Sequence, residues 1–203
     1  MARVVQFPVN PPAKLGPKKA SRRKKANLED FGQLNLFDQL PDTTPLISLP
    51  KSSSFFEEAL SLDDQGSAEA ERYYLLAIDN GESVEDALCN LGIMKSGQGE
   101  HAIAIDFLTK CLQKNPRHFE AHYNLGNVYS DLGNLELAKV HYELSTQIEP
   151  NYPNSFYNLG LVLISMKRYK EAIHRINQFV ELAPDSELHT ASELIKTLNS
   201  IAK

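Results

Sequence analysis

Three asparagines spaced 34 residues apart, Asn90, Asn124 and Asn158, have the clearest potential for recognition in this sequence. A carboxamide donates hydrogen bonds through its nitrogen and accepts them through its oxygen, so it can pair with both polar groups of a peptide unit. A row of such amides could hold the backbone of an extended peptide without reading its side chains. The same spacing also permits a structural role, in which each amide bonds a neighbouring helix.

Patterns that would support catalysis or metal binding are weak. His118 and His122 have the i, i+4 spacing of a helical metal pair, yet no glutamate follows His118 as in an HExxH motif. The sequence has neither a glycine-rich phosphate loop nor a GxSxG elbow. Cys89 and Cys111 fit small buried hydrophobic positions better than a disulfide or a metal pair. We therefore expect no catalytic residue, no cofactor and no metal.

The elements that position the asparagines follow from the same period of 34 residues, which indicates a stack of one repeated unit. The period recurs in a proline column, a glycine column and a column of larger apolar residues: Pro116, Pro150 and Pro184; Gly92, Gly126 and Gly160; Leu108, Tyr142 and Ile176. Glycine allows two helices to cross closely, and proline ends each unit because it cannot continue a helix. The pattern predicts helix pairs at 84–97 and 100–114, 119–132 and 134–148, and 153–166 and 168–182. Gly66, Gly99, Gly133 and Lys167 are predicted to form the turns inside the pairs.

These columns resemble the tetratricopeptide repeat family, with its Leu-Gly pair, its alanine early in the second helix and its closing proline. The resemblance is closest at AHYNLGNVYSDLG and is also clear at SFYNLG and RYKEAI. It implies an all-α helical solenoid of about four helix pairs. The implied boundaries are an array at 52–184, with units 52–80 (degenerate), 84–116, 118–150 and 152–184, and a C-terminal capping helix at 185–203.

In such a stack the first helix of each pair lines the concave side, and this places a candidate peptide-binding groove. Its predicted residues are Asn90, Tyr123, Asn124, Asn127, Tyr157, Asn158 and Leu161. The asparagine column is similar to the ladder that lines the repeats of O-linked N-acetylglucosamine transferase. Asp86, Glu120 and Asp131 also face inward by this register, so a neutral or basic ligand is expected rather than the acidic C-terminal tail of a chaperone.

The N-terminal 50 residues have a different composition and are predicted to be a mostly disordered arm. Residues 1–27 carry eight basic and no acidic side chains, whereas the rest of the chain carries 13 basic and all 26 acidic ones. The basic run contains Lys18, Lys19, Arg22, Arg23, Lys24 and Lys25. It could bind nucleic acid or another polyanion, lie on the acidic repeats, or be only a solvated tail. In a eukaryote it would look like a nuclear localisation signal.

A short apolar motif follows within 28–40, with Phe31, Leu34 and Phe37 as its main residues. It could dock on a partner or pack on the first repeat. The sequence as a whole predicts a non-enzymatic protein-binding scaffold, cytoplasmic or, in a eukaryote, nuclear. The alternatives are an adaptor that binds nucleic acid or another polyanion, and an autoregulated module whose own arm occupies the groove. No membrane partner is expected, and the sequence leaves the oligomeric state open.

Overall fold

The computed structural model describes residues 13–21, 54–184 and 187–201. These residues form α-helices and no strand, so the predicted all-α class is confirmed. The helices are α1 (Phe55–Asp64), α2 (Glu69–Asp79), α3 (Val84–Gly97), α4 (His101–Lys114), α5 (Phe119–Asp131), α6 (Leu135–Ile148), α7 (Pro153–Ser165), α8 (Tyr169–Leu182) and α9 (Leu188–Ile201). The bounds of α3 to α8 lie within one residue of those that the 34-residue period predicts. None of these helices is long and apolar enough to cross a membrane.

The chain divides into two compact units, of which the larger contains residues 13–20 and 88–201. Its helix pairs cross at the glycine column. A Cβ built on Gly126 would lie 2.6 Å from ring carbons of Tyr142, and one on Gly160 would lie 2.6 Å from Cγ1 of Ile176. Such a distance is too short for carbon atoms, so only glycine allows these crossings. The predicted close contacts are confirmed.

The turns within the pairs require left-handed backbone. Gly99 and Gly133 have φ values of 78° and 72°, and Lys167 holds the equivalent position with a φ of 61°. Glycine adopts this conformation without strain, whereas a residue with a Cβ pays a steric penalty there. The turn prediction is confirmed, and Lys167 is a strained member of the column.

The last helix, α9, covers the end of the larger unit. Ala191, Leu194 and Leu198 are buried in one cluster with Ile176 and Phe179 of α8. These three residues belong to the apolar stripe that the 3.6-residue spacing of the C-terminal sequence predicts. Burial of the stripe keeps the apolar face of α8 away from water.

The smaller unit contains α1 and α2. A capping box starts α1: the Ser54 side chain accepts from the Glu57 amide, and the Glu57 carboxylate accepts from the Ser54 amide. Phe56 of α1 packs on Tyr74 of α2 with ring centroids 5.9 Å apart. The turn between them contains Gly66 with a φ of 69°. This hairpin falls in the predicted degenerate unit; the domain boundaries themselves stay a prediction.

Candidate functional site

Residues 13–20, named here the arm segment, lie along the first helices α7, α5 and α3. Leu15 bonds to α7, Lys18 to α5 and Ala20 to α3, so the arm segment runs antiparallel to the order of the repeats. It has no helix or strand of its own. The sequence predicts an arm without regular structure, and the structure adds that these residues nevertheless have a defined path.

The asparagine ladder, Asn90, Asn124 and Asn158, holds this path by pairing each amide with both polar groups of one residue. Asn158 accepts from the Leu15 amide at 2.8 Å and donates to its carbonyl at 2.9 Å. Asn124 does the same with Lys18 at 3.1 and 2.8 Å. Asn90 completes the ladder with Ala20 at 2.9 and 3.0 Å. All six bonds go to main-chain atoms, so this part of the interaction is independent of side-chain identity.

The repeat geometry fits the interval from Leu15 to Lys18, whereas Ala20 follows Lys18 by only two residues. Neighbouring packed helices lie about 8–10 Å apart, and three extended residues span about 10 Å. Leu15 and Lys18, three residues apart, therefore meet asparagines on successive first helices. Pro17, which has no amide hydrogen, lies between the two bonded positions, where the ladder requires no amide donor.

The ladder amides are oriented by the repeats themselves. Asn124 Nδ2 also donates to the carbonyl of Glu120, one turn earlier on α5, at 2.8 Å. Asn158 Nδ2 lies 3.0 Å from Asn127 Oδ1, which in turn accepts from the Tyr142 hydroxyl at 2.7 Å. Asn127 is thus a support for the ladder and also offers its main-chain carbonyl to the arm segment. Bonds to a neighbouring helix and bonds to the backbone of an extended segment of this chain thus occur at the same asparagines.

Tyr123 adds a third kind of contact. Its hydroxyl lies 2.9 Å from the Leu15 carbonyl and 2.8 Å from the Gly16 carbonyl, and it donates to this pair of oxygens. Burial raises the pKa of the Tyr123 phenol well above its ordinary value, so the hydroxyl stays protonated and remains a donor. Tyr142 and Tyr152 pack against the ring, with centroids 5.8 and 5.1 Å away, and fix its direction.

Charge complements these main-chain bonds. Lys14 Nζ lies 2.7 Å from Oδ2 of Asp131 and donates to the Asn127 carbonyl at 2.8 Å. Lys18 Nζ lies 5.7 Å from the centroid of the Tyr152 ring, within the range of a cation–π contact. Asp131 is one of the acidic residues that the register places on the concave side. The arm segment therefore uses two lysines as well as its backbone.

The remaining predicted site residues have different locations. Leu161 lines a small cavity together with Ala13 and Lys14 of the arm segment. Tyr157 is buried and packs on Phe179 of α8, with centroids 4.8 Å apart, and its role in the groove wall stays a prediction. Arg22, Arg23, Lys24 and Lys25 of the basic run, and Phe31, Leu34 and Phe37 of the apolar motif, lie outside the described residues.

The sequence allowed the arm to occupy the groove as one alternative, but it did not identify residues 13–20 as the part that the ladder holds. The structure shows main-chain bonds to the ladder at Leu15, Lys18 and Ala20. The signal in the sequence was a proline-containing stretch in which Lys14 and Lys18 flank Gly16 and Pro17. Such a stretch favours an extended conformation.

The cysteine and histidine positions have structural surroundings. Cys89 and Cys111 are both buried and not in a disulfide, and burial raises the pKa of the Cys89 thiol. His122 and His141 lie against each other, with their Nδ1 atoms 3.1 Å apart. Within the described ranges 13–21, 54–184 and 187–201, no three His, Cys, Asp or Glu side chains cluster as a metal site would require.

Family models for the tetratricopeptide repeat match two consecutive segments, residues 119–152 and 153–186. These are the helix pairs α5/α6 and α7/α8, which carry Asn124 and Asn158. This chain is a tetratricopeptide repeat protein. Helices α5 and α7, which bond to Lys18 and Leu15, are therefore the first helices of such repeats.

Curated proteins of several different kinds match this chain over part of their length. The chain is 24% identical over 118 residues to a UDP-N-acetylglucosamine–peptide N-acetylglucosaminyltransferase of Giardia intestinalis, a match that covers 58% of this chain and 8% of the transferase. The chain spans 8% to 25% of the length of the curated relatives that it matches. Their activities therefore belong to much longer proteins.

Two solved structures illustrate the shared fold. One is residues 41 to the end of MamA from Desulfovibrio magneticus RS-1, with 21% identity, a TM-score of 0.58, and coverage of 73% of this chain and 93% of MamA. The other is the first tetratricopeptide repeat domain of Spaghetti (RPAP3) bound to the HSP90 peptide SRMEEVD. It has 19% identity, a TM-score of 0.54, and coverage of 59% of this chain and 94% of that domain. At these identities the likeness concerns the fold alone.

Proposed function

We propose that this protein is a non-enzymatic binding module whose concave groove holds an extended peptide by its backbone. The observation that carries the proposal is the asparagine ladder, in which three amides on successive first helices pair with Leu15, Lys18 and Ala20 of the arm segment. A ligand needs free N–H and C=O groups at these positions and an extended conformation. Many sequences meet this requirement, as suits a scaffold or an adaptor.

Charge narrows the choice of ligand toward basic segments. The Asp131 carboxylate pairs with Lys14 in the groove, and an acidic residue at that place would face a like charge. The related fold of the Spaghetti domain binds a peptide that ends in EEVD. The arrangement around Asp131 supports the opposite preference here, because it offers a carboxylate to the incoming side chain.

Autoregulation is a second candidate function, and the position of the arm segment favours it. A ligand tethered to its own receptor has an effective concentration set by the intervening chain, which here runs from residue 21 to the start of α3 at Val84. A partner must then compete with the arm segment, and its apparent Kd equals its intrinsic Kd divided by the fraction of grooves that are free. On this account the protein binds partners only when their affinity exceeds that of the tethered segment.

The test is binding of a labelled synthetic peptide, PAKLGPKKAS (residues 12–21), to the full chain, measured by fluorescence anisotropy. The receptor carries Leu15→Pro and Lys18→Pro, which remove two amide hydrogens that the ladder uses and so weaken the competing arm. We expect this receptor to bind the peptide more tightly than the wild-type chain does. Adding Asn124→Ala should weaken binding about tenfold, since two hydrogen bonds contribute roughly 0.5–1.5 kcal/mol each.

Matched controls separate backbone recognition from other effects. Asn151→Ala removes an exposed asparagine in the turn before α7 and should leave the affinity unchanged. In the peptide, proline in place of Lys18 should abolish most binding, whereas alanine there keeps the amide and should cost only the contact with Tyr152. Equal affinity for the Asn124→Ala and parent receptors would contradict the proposed function.

A further inference from the structure

A cavity of about 300 Å³ lies between the arm segment and helices α3, α4 and α5. Gly92, Ile93, Leu108 and Val128 form its apolar wall, and Gly16 borders it from the arm side. Asp131 lies on the same cavity, next to the lysine that it binds. Its volume lies at the lower end of the range for ligand pockets, about 300–1,000 Å³. Apolar surface in the groove is thus left without a partner side chain.

Gly16 is the one arm residue lining this cavity that carries no side chain. A Cβ built on it meets no atom within 4 Å. Its φ lies outside the left-handed region, in contrast with Gly66, Gly81, Gly99 and Gly133. The residue before a proline favours extended backbone, which any L-residue adopts. Neither crowding nor backbone conformation therefore requires glycine here, and a larger side chain has room.

We propose that the cavity is a side-chain pocket for the partner that displaces the arm segment. This partner is an extended basic peptide with a large apolar residue, such as leucine, at the place of Gly16, two residues after a lysine that pairs with Asp131. The inference rests on the proposed function and adds the residue that the groove selects. The arm segment, with glycine at this position, is a weak occupant by comparison, and a partner that fills the pocket outcompetes it.

Three peptides test the pocket on the Leu15→Pro/Lys18→Pro receptor. They are the parent PAKLGPKKAS, the pocket-filling PAKLLPKKAS, and PAKLGPKKAL, which carries the same added leucine at the place of the exposed Ser21. Burial of a leucine side chain corresponds to about tenfold to a hundredfold tighter binding. We expect this gain for PAKLLPKKAS and no comparable gain for PAKLGPKKAL.

A second measurement uses the chain with its arm intact. Gly16→Leu should make the arm segment a better occupant, so the parent peptide should bind this variant at least severalfold more weakly than it binds wild type. Equal binding of the three peptides, or the same gain from both leucines, would overturn the proposed side-chain pocket. Binding that still depends on Asn124 would in that case continue to support the proposed peptide-binding groove. Loss of all Asn124-dependent binding would instead overturn the proposed function and the pocket with it.

Discussion

Replacement of Gly126 by alanine tests how the helix crossing supports the ladder. The new Cβ would lie 2.6 Å from Cδ1 and Cε1 of Tyr142, a fully buried ring whose hydroxyl donates to Asn127 Oδ1 at 2.7 Å. Overpacking typically destabilises by about 1–3 kcal/mol, and loss of the hydroxyl bond adds about 1 kcal/mol. The better helix propensity of alanine offsets roughly 1 kcal/mol. The net decrease in unfolding free energy should be about 1–3 kcal/mol.

The matched control is Gly97→Ala, at the last residue of α3, where a built Cβ meets no atom within 4 Å. There only the propensity gain of up to about 1 kcal/mol applies. Urea unfolding followed by circular dichroism should place the two variants on opposite sides of wild type. If Gly126→Ala unfolds at the wild-type urea concentration or above it, the crossing is not close and this reasoning fails.

Three further variants address the turn column, the histidine pair and the groove. Lys167→Gly should raise the unfolding free energy by about 1 kcal/mol in a urea titration because it relieves left-handed strain, and lower stability would contradict this. Burial lowers the pKa of His141 to about 4 and also lowers the pKa of His122, so both are neutral when folded. The unfolding free energy should therefore be highest above about pH 6.5 and decline toward pH 4. His141→Gln should reduce that decline, and a pH profile equal to that of the wild type would refute this assignment. Tyr123→Phe should weaken peptide binding several-fold, because it deletes the donor to the Leu15 and Gly16 carbonyls, while an unchanged anisotropy titration would show that the hydroxyl is dispensable.

The helices could be predicted because the same helix-crossing contact recurs from repeat to repeat. In the three pairs α3/α4, α5/α6 and α7/α8 a glycine faces a larger residue, as Gly126 faces Tyr142, so the period of the sequence carries the geometry of the crossing. The ladder was predictable for the same reason: Asn90, Asn124 and Asn158 occupy one register position on successive first helices.

The arm was one candidate occupant of the groove, but the residues that pair with the ladder could not be predicted, because backbone recognition leaves little trace in side chains. The bonds to Leu15 and Ala20 would form with almost any residue except proline. The direction of the Tyr157 ring could not be predicted for a different reason. An aromatic ring at the edge of a helix face can turn toward the groove or toward the next helix, and here Phe179 offers a ring to pack on.

Residue-resolved hydrogen exchange on the full chain tests the central claim most directly, namely that the asparagine ladder holds the arm segment by its backbone. The amides of Leu15, Lys18 and Ala20 should exchange slowly in the wild-type protein. In the variant with all three ladder asparagines changed to alanine, they should exchange at the rate of an unstructured chain while α5 and α7 remain protected. Fast exchange of these three amides in the wild-type protein would contradict the account.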